Sequence, residues 1–194
     1  HLIIFRQNLL LFRQTANFAF FISGKTSMQA QNKLSRLVQS VEKAPAFCRS
    51  WLLSQIFGRT IKFAGTAGVQ VVALDFQQSV LKLANKKRVQ NHIGGVHAAA
   101  MALLGESASG FLVGMHVPDD RIPLLKSMNL QYVKRATGDL SATARLSETE
   151  IQAIRSTEKG EVTVKVELLD SIGVSPVIAE FVWAWVPKVR KPAN

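Results

Sequence analysis

Apolar residues at helical spacing characterise the first part of the chain after residue 28. In residues 29–43 the apolar positions recur every three or four residues, at Leu34, Leu37, Val38 and Val41. Ala44-Pro45 ends this predicted helix, because the residue before a proline disfavours helical backbone angles. A second short helix is predicted over 46–57, and Gly58 is expected to stop it.

From residue 60 the periodicity changes to the two-residue repeat of β-strands. The apolar positions of 162–168 alternate with polar ones, which predicts a strand with one buried and one solvated face. The segment 177–186 is apolar on both faces and is expected to be a central strand. The remaining strands are predicted over 60–64, 69–75, 80–84, 128–132 and 140–147.

One long helical pattern, from Gly95 to about Val113, interrupts these strands and consists largely of small residues. Small side chains let a sheet approach a helix closely, so this helix is expected to lie in the interior. A capping-box pattern from Ser147 to Glu150 predicts a short helix that continues to about Thr157. This order of elements predicts an α+β domain in which a long helix lies against one face of an antiparallel sheet.

The chain is expected to divide into four parts. Residues 1–27 are an apolar, basic segment without acidic residues, 28–58 a helical N-terminal extension, 59–188 the main domain and 189–194 a basic tail. An ordinary folded sequence begins near Met28, so residues 1–27 are interpreted as a tail outside the fold. The alternative is a targeting or membrane-surface helix. A helix that crosses the bilayer is not expected, because the longest uncharged run in this segment is too short.

Composition narrows the chemistry that the chain can perform. Its single cysteine, Cys48, excludes a disulfide framework and a cysteine-based metal cluster, and four histidines leave little material for a zinc site, so no metal is expected. Residues 1–90 hold 13 Lys and Arg but only two acids, whereas residues 91–194 hold 11 of each sign. A basic half attracts the phosphates of nucleic acid, lipid or a cofactor, and composition does not choose among them.

A single carboxylate, Glu106, lies within the long helix of small residues. Burying an ionised carboxylate is costly, so it needs a partner or a chemical task, and burial raises its pKa toward the range useful for a general base. Glu106 could instead lie at an exposed edge or pair with a basic residue. In the same way His97 could be structural, and Asn91 beside Gly94-Gly95 could serve only the loop and the helix cap.

The combination of Asn91, Gly94, His97 and Glu106 resembles the hotdog-fold acyl-CoA thioesterases of the phenylacetate-degradation type. In that family the helix begins at an Asn-x-x-Gly-x-x-His-Gly-Gly turn and bears an Asp or Glu two to three turns later. A stretch within 128–139 also resembles the strand and turn that follow the helix. The likeness covers about residues 60–187 and is closest to an uncharacterised branch of the superfamily. It implies a long central helix wrapped by a curved antiparallel sheet.

The resemblance implies a role for each residue around the helix N-terminus. Glu106 would activate water or attack the thioester carbonyl, and Asn91 would orient the water or the substrate. The carbonyl oxygen would lie near Gly95, His97 and Ala98, where backbone N–H groups and the helix dipole stabilise negative charge. The family's two glycines after the His are alanines here. The first of them, Ala98, keeps the N–H, but its methyl group narrows the approach.

Coenzyme A, as part of the substrate, gives the positive charge a use, and no separate cofactor is expected. Its phosphates could be held by Lys86, Lys87 and Arg88, which precede Asn91, or by Arg135 near a strand end. Both groups of cations could equally be solvated surface charge. In this superfamily the sites combine residues of two subunits, so the resemblance implies a homodimer or a dimer of dimers.

Three classes of function follow from these observations. The first is an acyl-CoA thioesterase that uses Glu106 and Asn91; a dehydratase of the same superfamily is a further enzyme option, although such enzymes favour a different His-bearing motif. The second is a non-catalytic hotdog module that binds acyl-CoA or acyl chains, which the alanines after His97 suggest. The third class is nucleic-acid binding by the basic first half of the chain. It is not expected, because the basic residues are scattered without a reading motif. A cytoplasmic location is expected, with any membrane contact made only through residues 1–27.

Overall fold

The computed structural model describes residues 32–188. The predictions for residues 1–27, Met28 and residues 189–194 lie outside the described residues. The helices are α1 (Lys33–Glu42), α2 (Ala46–Thr60), α3 (Lys62–Ala67), α4 (Ala98–Gly114) and α5 (Glu148–Ser156), with a 3₁₀ turn at Lys87–Val89. The strands are β1 (Gln70–Leu74), β2 (Gln78–Leu83), β3 (Arg121–Tyr132), β4 (Leu140–Arg145), β5 (Gly160–Asp170) and β6 (Val177–Pro187).

The six strands form one antiparallel sheet in the order β1-β2-β4-β5-β6-β3. Helix α4 lies against one face of this sheet and contacts β2, β3, β4, β5 and β6. Strand β6 pairs with a neighbour on both sides, as expected for 177–186, although only the face toward α4 is fully buried. The predicted α+β arrangement, with a long helix against an antiparallel sheet, is confirmed.

The sheet approaches α4 so closely that only glycine fits at two positions. A Cβ atom on Gly105 would lie 2.7 Å from the ring of Phe181, and one on Gly110 would lie 2.6 Å from the ring of Trp183. Both rings belong to β6, and the Trp183 indole N–H also donates a hydrogen bond to the Ser109 hydroxyl at 3.0 Å. The expectation that small residues place this helix in the interior is confirmed, because most of its side chains are buried.

Helix α2 closes one edge of the sheet. Strand β1 lies at this edge, and the N–H and carbonyl groups of its residue Val71 point toward α2. The Ser50 hydroxyl donates to the Val71 carbonyl at 2.7 Å, and the Ser54 hydroxyl accepts from the Val71 N–H at 2.9 Å. The two serines are one helical turn apart and therefore lie on the same side of α2. The helix thus occupies the position where another strand would otherwise pair.

The prediction of a strand over 60–64 is wrong. Helix α2 continues through Gly58 to Thr60, and α3 follows almost directly. The cause is a close contact between the two helices, since a Cβ atom on Gly65 would clash with the backbone carbonyl of Gly58. Gly65 therefore permits the two helices to pack closely, Gly58 lies within α2 and does not end it, and the apolar residues after Gly58 belong to helices.

Two other boundaries differ from the predicted ones for local reasons. Strand β3 begins at Arg121 instead of residue 128, and its register with β6 shifts between Leu125 and Ser127. Such a bulge breaks the alternation on which a periodicity argument depends. Helix α4 begins at Ala98, three residues later than predicted, because the glycines before it form a turn. The predicted capping box at Ser147 is present.

A buried histidine links α5 to the loop between β1 and β2. The His116 ring contacts the Phe76 carbonyl through Nε2 at 2.8 Å and the Arg155 guanidinium through Nδ1 at 3.1 Å. Because a guanidinium only donates, Nδ1 accepts, and Nε2 carries the proton that is donated to Phe76. Burial, reinforced by the charge of Arg155, lowers the pKa of His116 to about 4. The folded protein therefore holds this ring neutral at neutral pH.

Acid should weaken the fold through His116. An unfolded histidine binds a proton near pH 6.5, whereas the folded one does so only near pH 4, so the unfolded state binds more protons in between. The contribution of the neutral His116 ring to the free energy of unfolding is complete above about pH 6.5. It falls by about 1.4 kcal/mol per pH unit as the pH is lowered toward about 4. We expect wild type to lose more unfolding free energy than His116→Gln between about pH 7 and about pH 5 in urea titrations. Equal losses would contradict this account.

Two buried serines of α4 should differ in their contribution to stability. The Ser109 hydroxyl accepts from the Trp183 indole and donates to the Gly105 carbonyl, whereas the Ser107 hydroxyl has no partner within the described residues. Ser109→Ala would leave a buried indole N–H unsatisfied, so we expect a loss of about 1–3 kcal/mol in unfolding free energy. Ser107→Ala, the matched control, should be neutral or stabilising. Equal effects in urea unfolding would show that the bond to Trp183 is not important.

Candidate active site

The turn that precedes α4 is held by the side chain of Asn91. Its Oδ1 accepts hydrogen bonds from the N–H groups of Ile93 and Gly95, both at 3.1 Å. The Asn91 N–H donates to the Gly95 carbonyl at 2.8 Å, and Gly94 takes a left-handed conformation with φ of 77°. Asn91 and Gly95 therefore build the turn. A direct role of either residue toward water or substrate stays a prediction.

His97 caps the N-terminus of α4. Its Nδ1 accepts from the Ala99 N–H at 3.0 Å, so Nε2 carries the proton of the neutral ring. The His97 carbonyl accepts from the N–H groups of Ala100 and Met101, and its own N–H donates to the Val89 carbonyl. These bonds give His97 a structural function, while its ring remains exposed.

The Ala98 N–H is the remaining donor of the first turn of α4. It makes no hydrogen bond within residues 32–188, whereas the N–H groups of the next three residues are all engaged. The positive end of the helix dipole lies at this amide. Of the predicted oxyanion-binding groups Gly95, His97 and Ala98, Ala98 is thus the one whose N–H is available for a carbonyl oxygen.

Glu106 lies on the only lengthwise stripe of α4 that the described chain leaves uncovered. Between its two terminal residues, the partly exposed positions of α4 recur every three or four residues, at Ala99, Ala102, Glu106 and Gly110. The Glu106 carboxylate makes no hydrogen bond or ion pair within the described residues, and burial raises its pKa. The alternative of pairing with a basic residue does not hold within the described residues, and the Glu106 side chain is partly exposed at this stripe. Residues 32–188 contain no group of three His, Cys, Asp or Glu placed to hold a metal ion.

The inner face of β3 borders this stripe. Met128 and Tyr132 pair across the strands with the buried Phe181 and Val177, so they face the same side of the sheet as α4. They nevertheless remain 46% and 48% exposed. Since Phe181 also packs against Gly105, Met128 lies at the level of Glu106 along the helix. An open apolar strip therefore runs beside the carboxylate.

Tyr132 is a candidate site residue to which sequence reasoning assigned no role. Its hydroxyl donates to the Ala98 carbonyl at 2.8 Å, which joins the end of β3 to the first turn of α4. Burial raises the pKa of Tyr132, so the hydroxyl keeps its proton. The sequence could not place it there, because the bond joins residues 34 positions apart and depends on the register of β3.

The structure separates the four cations predicted to bind phosphate. Arg88 donates from Nε to the Ala67 carbonyl at 2.9 Å, which gives it a structural contact at the C-terminus of α3. Lys86 and Lys87 are exposed beside it. Arg135 lines an open cleft of about 360 Å³, together with the glycines of the turn before α4. Arg135 is therefore the cation that the fold brings to the candidate site.

This arrangement is the hotdog fold, as the likeness to solved structures shows. PA5026 of Pseudomonas aeruginosa, a protein of unknown function named as a probable thioesterase, matches with a TM-score of 0.64 and 23% identity over 71% of this chain and 95% of that chain. Thioesterase HI1161 of Haemophilus influenzae gives a TM-score of 0.59 and 10% identity over 73% and 92%. A mutant of thioesterase PA1618 of P. aeruginosa gives 0.58 and 18% over 70% and 94%. The predicted hotdog fold is confirmed.

Sequence similarity places the chain in a family that is defined without a function. Residues 49–186 match the domain of unknown function DUF4442, and the protein belongs to this family. None of the curated proteins matches the chain significantly. Solved structures at such low identity establish the fold alone, so the phenylacetate-degradation type remains a prediction.

Proposed function

We propose that this protein hydrolyses the thioester bond of acyl-CoA. The observation that carries the proposal is Glu106, a partly buried carboxylate with a raised pKa and no partner within the described residues. It lies on the uncovered stripe of a helix whose N-terminus offers the free Ala98 N–H. A base and an amide donor for the carbonyl oxygen are the groups that acyl transfer requires. The thioesterases that share the fold support this class of reaction.

The proposed reaction begins with attack on the thioester carbonyl carbon. Glu106 takes a proton from a water molecule, whose oxygen bonds to that carbon, or its carboxylate attacks the carbon directly. The negative charge that develops on the carbonyl oxygen is stabilised by the Ala98 N–H and the helix dipole. Collapse of the intermediate breaks the C–S bond. On the water route the proton held by Glu106 passes to the leaving sulfur, which gives a carboxylic acid and coenzyme A directly. On the direct route coenzyme A leaves as a thiolate that takes a proton from solvent, and water then hydrolyses the acyl–Glu106 anhydride to the carboxylic acid and the regenerated carboxylate.

We further propose that each site combines two subunits. The Ala98 N–H and Glu106 of one chain are eight residues apart, or about 12 Å along the helix. A reacting carbonyl needs its oxygen about 3 Å from the donor and its carbon about 3–3.5 Å from the attacking atom. A second copy with an antiparallel α4 would bring the Glu106 of one chain close to the Ala98 of the other.

The free edge of the sheet supports a homodimer or a dimer of dimers. Strand β3 is twelve residues long and lies at the edge opposite β1. Within the described residues no helix covers its edge as α2 covers that of β1, and its outer face exposes apolar side chains, among them Ile122 and Leu124. Long, exposed edge strands of this kind pair with other chains. The second copy is therefore proposed to lie along β3, beside the open strip and Glu106.

The same surface can bind the two ends of the substrate. The acyl group would occupy the strip between Met128 and the small residues of α4. The phosphates of coenzyme A would lie near Arg135, and Lys86 and Lys87 directly follow Asn85, which lines the same cleft as Arg135. A location in the cytoplasm remains a prediction. A non-catalytic module that binds acyl-CoA is the second candidate, because the methyl group of Ala98 narrows the approach to the oxyanion donor.

Glu106→Gln should abolish most of the hydrolysis of acyl-CoA esters. The amide keeps the size of the side chain but cannot accept a proton from water, so we expect kcat to fall roughly 10²- to 10⁴-fold. Thiol release from short, long and aromatic acyl-CoA esters measures this, and gel filtration checks the assembly. The exposed Glu158→Gln variant is the matched control and should retain full activity. Equal activity of Glu106→Gln would remove Glu106 from the mechanism, and binding without turnover by wild type would favour the module.

Tyr132→Phe should slow the reaction without preventing binding. It removes the hydroxyl that holds the Ala98 carbonyl, and with it the orientation of the Ala98 peptide relative to the reacting oxygen. Loss of about 1 kcal/mol of transition-state stabilisation corresponds to roughly a fivefold fall in kcat. Steady-state kinetics should show this fall with KM nearly constant, and thermal unfolding checks that the variant remains folded at the assay temperature. A rise in KM alone would instead assign Tyr132 to substrate binding.

A further inference from the structure

The first half of α2 presents two aromatic side chains to solvent. Phe47 and Trp51 are 90% and 62% exposed. They are one helical turn apart and therefore lie side by side on the helix surface. The helix makes its contacts with β1 through other positions, at Ser50 and Ser54. At this degree of exposure, no described residue covers either ring.

The chain around these rings is basic and free of acids. Between Glu42 and Asp75 it contains no acidic residue and four basic ones, namely Lys43, Arg49, Arg59 and Lys62. None of the four takes part in an ion pair within the described residues. Lys43 lies four residues before Phe47 in the sequence, and Arg49 lies two residues after it and donates from Nε back to the Ala44 carbonyl at 2.7 Å. We call the set of Lys43, Phe47, Arg49 and Trp51 the α2 patch.

We propose that the α2 patch docks on the surface of a membrane that contains anionic lipids. Rings of Phe and Trp insert into the boundary between headgroups and acyl chains, and nearby cations bind the headgroup phosphates. No helix within residues 32–188 is long and apolar enough to cross a bilayer, so the contact is peripheral. The patch lies outside residues 1–27, to which membrane contact was assigned from the sequence. This inference does not depend on the proposed function.

The charge of the patch decides among its occupants. Residues 1–31 are apolar, but they carry Arg6, Arg13 and Lys25 and no acid, so they would add like charge. A second copy of the chain that docked with its own α2 patch on this one would also bring positive charges against positive charges. An anionic lipid surface neutralises the cations and accepts the two rings in one contact.

Trp51 provides a direct readout in the full-length chain. The other two tryptophans, Trp183 and Trp185, are buried, so a change in emission on adding vesicles reports on Trp51. We expect a blue shift with vesicles of phosphatidylcholine and phosphatidylserine and little shift with phosphatidylcholine alone. Brominated lipids should quench the same emission.

Substitutions in the patch separate it from the other apolar parts of the chain. In vesicle sedimentation, Phe47→Ser and Lys43→Glu/Arg49→Glu should each lower the partition coefficient by roughly tenfold or more. Ile172→Ser is the matched control, because Ile172 is 67% exposed in the turn between β5 and β6, and it should bind as wild type does. The fold of each variant is checked by thermal unfolding.

Three results would overturn the proposal. The first is no shift of Trp51 emission with anionic vesicles. The second is unchanged vesicle binding by both patch variants, which would place membrane contact elsewhere in the chain. The third is a change of Trp51 emission with a single-stranded oligonucleotide but not with vesicles, because bases also stack on exposed aromatic rings beside cations.

Discussion

The close approach of β6 to α4 is the contact on which the rest of the structure depends. The rings of Phe181 and Trp183 occupy the space that side chains at Gly105 and Gly110 would need. Any larger residue at either position would push the sheet away from the helix and open the core. Because this packing fixes the rotation of α4 about its axis, it also decides which residues of the helix stay uncovered, and Glu106 is one of them.

The same constraint produces the chemistry of the site. Glu106 lies on the stripe of α4 that the described residues cover only in part, and this partial burial raises the pKa of its carboxylate. At the start of the helix, the ring and the carbonyl of His97 engage the N–H groups of Ala99, Ala100 and Met101, which leaves the Ala98 N–H of the first turn without a partner within the described residues. Packing and capping therefore leave one carboxylate and one amide without partners on the same helix.

Much of this could be predicted, because it depends on residues that are close in sequence. The run of small residues identified an interior helix, and the resemblance of the motif from Asn91 to Glu106 to a known family implied the hotdog fold. Contacts across the fold could not be predicted in the same way. The packing of Gly58 against Gly65 turned an expected strand into helix, and the bond from Tyr132 to the first turn of α4 depends on strand register. Periodicity carries no information about either contact.

The most direct test is a crystal structure of the Glu106→Gln variant with an acyl-CoA bound. The account predicts a dimer in which the thioester oxygen lies about 3 Å from an Ala98 N–H. It also predicts that the thioester carbon lies beside the side chain of residue 106 of the other subunit, not of the subunit that supplies the Ala98 N–H. An acyl-CoA bound away from α4, or a dimer that buries the stripe around Glu106 without room for a thioester, would contradict it.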